Sequence, residues 1–200
     1  MRSNWFSKGV NLSKIVAFGE PLLRLQPPGH ERFLQTDRLR VAYGGSELNV
    51  AVSLACFGEP TSFVAAVPNN PLGEGVVRFL RGQGVGTNHL ARQGERLGLY
   101  FVEAGANQRP SQVIYDRSYS AMATAQADDF EWAAIFEGAD WLHVSGITPA
   151  ISVTAAEATI TAVSEAKARG LTVSCDYNYR QKLWRYGKTA VEVMRKLVAQ

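Results

Sequence analysis

Short apolar runs alternate with longer stretches of helical spacing over most of this chain. Residues 14–19 form a brief apolar run closed by glycine. Thr61–Val67, residues 141–146 and residues 171–176 are of the same type. Such runs predict strands buried on both faces. Between them lie residues 46–57, 71–81 and 153–169, where apolar side chains return every three or four positions. Val153, Ala156, Ile160 and Val163 share one helical face, and Gly170 supplies the residue that ends it. Leu72, Val76, Phe79 and Leu80 mark a second such face, stopped by Gly82 and Gly84. A short helix is predicted over 133–138 and an amphipathic one over 189–198. Strands alternating with helices predict parallel βαβ units in a doubly wound α/β sheet. Right-handed crossovers then align the strand C-termini along one edge, where ligands bind.

Some stretches break this rhythm. Residues 97–103 and 111–116 alternate in polarity, carry Tyr100 and Tyr115, and flank the turn-forming Gly105-Ala106-Asn107. They predict an antiparallel hairpin with one wet face. Residues 33–41 alternate loosely and predict a half-exposed strand, while Leu22–Gln26 reads as an extension of the first apolar run, broken by the turn Pro27-Pro28-Gly29. The segments over about 20–41 and 97–117 are expected to form a small β-sheet standing over the C-terminal edge as a lid.

The junction Tyr43-Gly44-Gly45-Ser46-Glu47-Leu48-Asn49 is the chemically suggestive point. Two glycines remove side chains where a helix N-terminus offers unpaired N–H donors. Ser46 suits an N-cap, Gly58 suits the position after the last turn, and the Asn49 amide both donates and accepts. Alone, the stretch also fits an ordinary loop-to-helix junction.

Composition narrows the function classes. Apolar residues make up 46% and charged residues 20%, ordinary for a globular domain. The net charge of +3 is spread without a basic block, which argues against nucleic acid as the main partner. No apolar run approaches the ~20 residues of a membrane span, so no membrane partner is expected. Cys56 and Cys175 sit in apolar segments and predict buried, reduced thiols in a cytoplasmic protein. His30 and His89 lack Cys or carboxylate neighbours at ligand spacing, so no structural metal is predicted. His143, in an apolar run, predicts a packed core histidine, and Trp184 a core residue.

Seven stretches, in order, carry a resemblance. They are Phe18-Gly19-Glu20-Pro21; Gly44-Gly45 with Asn49-Val50-Ala51; Asn70-Pro71-Leu72-Gly73-Glu74; and Gly98-Leu99-Tyr100-Phe101-Val102-Glu103. The others are Arg109-Pro110-Ser111 with Tyr115-Asp116-Arg117 and Ser120-Ala121; His143-Val144-Ser145-Gly146-Ile147; and Asp176-Tyr177-Asn178-Tyr179-Arg180-Gln181-Lys182-Leu183-Trp184. From about residue 14 onward the chain resembles the ribokinase-like (PfkB) carbohydrate kinases, and among them the 2-keto-3-deoxygluconate kinases. The resemblance implies a three-layer αβα fold with a lid, ATP and Mg2+ as cofactors, a sugar-acid substrate, and a homodimer formed through the lid. It implies a sugar site of Gly44, Gly45, Asn49, Tyr100, Tyr115, Arg117, Ile147 and Arg180, with Asn178 and Arg180 near the nucleotide phosphates. The residue types suit a polyhydroxy acid. Arg117 and Arg180 can fork onto carboxylate or phosphate oxygens, and the tyrosines offer ring walls and phenol groups. Without the resemblance, Tyr100 and Tyr115 read as ordinary sheet residues, Arg117 as a solvated charge and Glu20 as a lid residue only.

The family's Gly-Ala-Gly-Asp motif, whose aspartate is the catalytic base, does not occur in this sequence. That aspartate is expected beyond residue 200, so the 200 residues read as the N-terminal part of such a kinase. The rival readings are a fructokinase- or ribokinase-type enzyme for a neutral sugar, and a non-catalytic sugar-acid-binding fragment.

Overall fold

The computed structural model describes residues 14–200. In chain order its strands and helices are β1 (Ile15–Phe18), β2 (Leu22–Gln26), β3 (Arg40–Gly44), α1 (Ser46–Cys56), β4 (Thr61–Val67), α2 (Pro71–Gly82) and β5 (Leu90–Arg92). Then come β6 (Gly98–Glu103), β7 (Gln112–Asp116), α3 (Ala121–Thr124), α4 (Trp132–Ile135), β8 (Trp141–Ser145), α5 (Val153–Ala168), β9 (Thr172–Asp176) and α6 (Ala190–Val198).

Five strands form one sheet in the order β5-β4-β1-β8-β9, with every pairing parallel. The apolar runs of β1 and β4 are buried as predicted, with Val16, Ala17, Phe18, Phe63, Val64 and Val67 wholly inaccessible, whereas β9 lies at the sheet edge with Thr172 and Asp176 exposed, so that run is not buried on both faces. The chain leaves β1 toward β4 on one side and later returns to β8 on the other. That reversal makes β1 and β8 the topological switch point, whose strand C-termini are where open α/β sheets bind ligands. Helix α1 packs against β1, β4 and β8, and α5 against β8 and β9. Among the described residues no helix is long and apolar enough to cross a membrane.

The other four strands form a second sheet in the order β3-β2-β6-β7. Strands β2 and β6 run parallel, and the outer pairings are antiparallel. Its register places Ala42, Arg24, Tyr100 and Tyr115 in one row, and Val41, Leu25, Phe101 and Ile114 in a row on the opposite face.

Several local expectations need correction. Residues 33–41 are not one strand: Phe33–Gln35 is a 3-10 turn, and β3 begins only at Arg40. The Phe33 ring packs edge-on to Phe101 at 6.1 Å and its N–H donates to Glu103 Oε2 at 3.1 Å, so a single anchored residue produced the alternation. The helix N-cap is Gly45, not Ser46. Cys56 is exposed rather than buried, because the last turn of α1 faces outward. The Cys175 thiol is half-buried, and burial pushes it up to about 11. Trp184 is half-buried, with an indole N–H that has no partner. Strand β5 and helix α3 are too short to leave a periodic signal, so the sequence did not suggest them.

Gly45 is where the backbone leaves no alternative. Its φ is +149°, and an added Cβ would stand 2.5 Å from the Glu20 carbonyl oxygen. Gly45→Ala is expected to lower stability by about 2 kcal/mol or more. A urea midpoint equal to that of the parent protein would contradict this.

Candidate functional site

The site is built where the second sheet meets the N-terminus of α1. Gly44 ends β3, and a Cβ there would lie 3.0 Å from the Tyr100 hydroxyl and 4.0 Å from Asn49 Oδ1. A phenol and an amide therefore converge over a bare backbone, beside the first free N–H groups of α1. Asn49 itself is exposed, open to a ligand. Tyr100 is half-buried, and burial raises its phenol above the ordinary value. Its row neighbour Arg24 spends Nη2 on Gln26 Oε1 at 2.5 Å, while its Nε is buried without a partner.

Tyr115 lies next to Tyr100 in the same row and packs with Trp184 against Ile147, Ala150 and Leu183. Two predicted sugar contacts, Tyr115 and Ile147, are thereby brought together. Arg117 is no solvated charge, and Glu20 is more than a lid residue. Their side chains are 3% and 1% exposed, and Arg117 Nε donates to Glu20 Oε2 at 2.5 Å. Ser120 Oγ donates to the other carboxylate oxygen. Gly98 leaves room for this pair: a Cβ there would stand 2.5 Å from Glu20 Oε1. Just before Arg117, Arg96 grips the Asp116 carboxylate at 2.7 and 2.9 Å. That pairing holds Asp116 below the usual carboxylate range.

Sequence reasoning missed Glu47. It sits in the first turn of α1, completely buried, and its Oε1 accepts from Ser145 Oγ at 2.6 Å and Thr148 Oγ1 at 2.9 Å. The carboxyl presses on Gly19, where any Cβ would collide with it, and Oε2 has no partner. Burial pushes this carboxyl up, while its hydrogen bonds and, more weakly, the Arg117 charge pull it down. Glu47 thus pins the β8 end, which carries Ile147, to the helix that carries Asn49. The available signal was spacing: Glu47 is one turn before Ala51, on the inward face.

The segment after β9 divides. Asn178 turns at φ +36°, its N–H donates to Asp176 Oδ1 at 3.0 Å, and its Nδ2 donates to Ser46 Oγ at 2.8 Å. It is therefore tied to the same helix N-terminus. Arg180 is not brought in: it is exposed, and its Nη1 donates to the Tyr179 carbonyl at 2.9 Å. His143 is half-buried in β8, with Nδ1 2.9 Å from Ser174 Oγ. Among the described residues no three His, Cys, Asp or Glu side chains are grouped to hold a metal ion. Asp176 and Asn178 alone do not make a resident Mg2+ site.

A doubly wound parallel sheet with a smaller second sheet beside its strand ends is an α/β architecture of the kind that binds ligands at its switch point. The family pattern described as "pfkB family carbohydrate kinase" matches residues 12–200, and the chain belongs to that family. It is 38% identical over 86% of its length to a 2-dehydro-3-deoxygalactonokinase of Haloferax volcanii, covering 54% of that protein. It is 35% identical over 85% of its length to a 2-dehydro-3-deoxygluconokinase of Thermoproteus tenax, covering 51% of it. Its fold matches the crystal structure of the 2-dehydro-3-deoxygluconokinase of Thermotoga maritima with a TM-score of 0.84, at 50% identity over 86% of this chain and 53% of that one. The chain spans about half the length of these relatives.

Proposed function

We propose that this chain carries the lid and most of the sugar site of a sugar-acid kinase. Such an enzyme moves the ATP γ-phosphate to the terminal hydroxyl of 2-keto-3-deoxygluconate (2-dehydro-3-deoxygluconate). The observation that carries the proposal is the convergence of the Tyr100 hydroxyl and the Asn49 amide over Gly44, at a helix N-terminus. The names of the relatives support the same substrate class.

In this reading the N–H groups after Gly44 and Gly45, with Asn49, hold the hydroxyl end of the sugar. Tyr100 and Tyr115 wall the carbon chain, and Ile147 gives it an apolar contact. Arg117 supplies fixed positive charge behind them. Asn178, near the same helix end, and Arg180 serve the nucleotide phosphates. Bound together with ATP, Mg2+ would shield the phosphate charge. No side chain of this chain is assigned as the base. The second sheet acts as the lid, and its outer row of Val41, Leu25, Phe101 and Ile114 pairs with a second copy. Val41 and Ile114 are 61% and 54% exposed, and light scattering at micromolar concentration should return a dimer mass; a monomer mass contradicts the pairing.

Calorimetric titration tests the sugar reading. The chain is expected to bind 2-keto-3-deoxygluconate and to bind fructose much more weakly. Equal binding of both, or tighter binding of fructose, would favour a neutral-sugar enzyme.

A further inference from the structure

We infer that Arg24 is a positioning residue for the site: it holds the Tyr100 phenol by its oxygen and so turns that O–H toward the ligand as a donor. For the class of ligand this rests on the sugar-acid reading. The contact between Arg24 and Tyr100 stands on the geometry of the second sheet alone.

The register brings the two side chains together. Arg24 on β2 and Tyr100 on β6 are direct partners in a parallel pairing, and Ala42 on β3 flanks Arg24 on the other side. Paired positions share one face of a sheet, on strands about 4.8 Å apart. Ala42 offers Arg24 no polar atom in its side chain, so Tyr100 is the polar neighbour across the row. The guanidinium is tethered at one corner, where Nη2 donates to Gln26 Oε1 at 2.5 Å. Its Nε is buried without a partner, and Arg24 forms no ion pair among the described residues. A half-buried cation without a carboxylate therefore lies against a half-buried phenol. The phenol registers this contact. Burial raises it above the ordinary value, the Arg24 charge pulls it down, Tyr115 in the same row pushes it up, and a hydrogen bond from Arg24 lowers it again.

The direction of the hydrogen bonds follows from the groups. A guanidinium has donors and no acceptor, whereas a phenol has one hydrogen to give. Toward Arg24 the Tyr100 oxygen can only accept, which leaves its hydrogen for a different acceptor. That oxygen stands 3.0 Å from where a Gly44 Cβ would lie. Its hydrogen therefore reaches the bare backbone at the helix N-terminus, where the ligand is proposed to sit. A neighbouring cation also makes the phenol a stronger donor. Tyr100 is thereby set to receive a ligand oxygen that accepts, and Arg24 fixes that polarity without touching the ligand.

A double-mutant cycle tests this. Arg24→Met keeps much of the side-chain length but removes the donors and the charge, and Tyr100→Phe removes the hydroxyl. Calorimetric titration with 2-keto-3-deoxygluconate is run on the parent protein, both single variants and the double variant. Arg24→Met is expected to weaken binding roughly three- to tenfold, the range of one hydrogen bond. It should have no further effect once Tyr100 is phenylalanine, and Arg24→Lys should recover part of the loss. In the unliganded protein, 13C NMR of ζ-labelled tyrosine should show the Tyr100 phenol titrating at higher pH in Arg24→Met than in the parent. Equal losses in the tyrosine and phenylalanine backgrounds overturn the assignment, and so does an unmoved phenol titration. If circular dichroism shows Arg24→Met unfolded, Gln26→Ala, which releases the guanidinium, takes its place in the same cycle under the same criteria. A parent protein that does not bind the sugar acid overturns the sugar-acid reading, and the phenol titration then decides alone whether Arg24 holds Tyr100.

Discussion

Glu20→Ala is expected to cost about 3–5 kcal/mol, the range found when one partner of a buried ion pair is removed. The substitution would strand the Arg117 guanidinium, 3% exposed, inside the junction between the sheets. Ser120 would lose its acceptor as well. Urea unfolding of both proteins measures the effect, and a loss below about 1 kcal/mol would contradict it. The double variant Glu20→Ala, Arg117→Met should recover much of the loss, because it leaves no charge buried. Sugar binding should stay weak in the double variant, which separates the stabilising role of Arg117 from its proposed role at the ligand.

Glu47→Gln is expected to change the pH dependence of stability. Burial raises the folded carboxyl above its ordinary value of 4.5. The native state therefore favours the protonated form. The stability this group contributes is complete below its unfolded pKa and is lost as pH rises through the folded value. Glutamine has the neutral shape at every pH. The melting temperature of Glu47→Gln should therefore gain on that of the parent protein as pH rises from about 4 to about 8. Scanning calorimetry across that interval reads the difference. A constant gap would mean that Glu47 is not held in its neutral form by burial. Glu47→Ala should lose stability at every pH, since Ser145 and Thr148 lose their shared acceptor.

Both residues show where the sequence was legible and where it was not. Strands β1 and β4 were readable because they are buried almost throughout and so are largely apolar, and β8 because Leu142 and Val144 are buried although Trp141 is partly exposed. The glycine pair located the helix N-terminus correctly. It did not reveal that Gly45 takes the capping position, because Ser46 Oγ is claimed by Asn178, 132 positions away. Arg117 and Glu20 are 97 positions apart, so no local pattern marks their pairing. Glu47 was overlooked for a different reason. A glutamate in the first turn of a helix ordinarily faces solvent and favours the helix dipole, and only the tertiary packing of α1 on Gly19 and β8 turns it inward. The tyrosine-rich strands identified the second sheet, but its parallel β2–β6 pairing depends on segments more than seventy positions apart.

The central claim is that a sugar acid binds where the second sheet meets the N-terminus of α1. Its most direct test is a titration of 15N-labelled protein with 2-keto-3-deoxygluconate, followed by backbone amide shifts. The account predicts that Gly44, Gly45, Asn49, Tyr100, Tyr115 and Ile147 move together and saturate at one concentration. Saturable shifts clustered elsewhere, with these six amides unmoved, would contradict it.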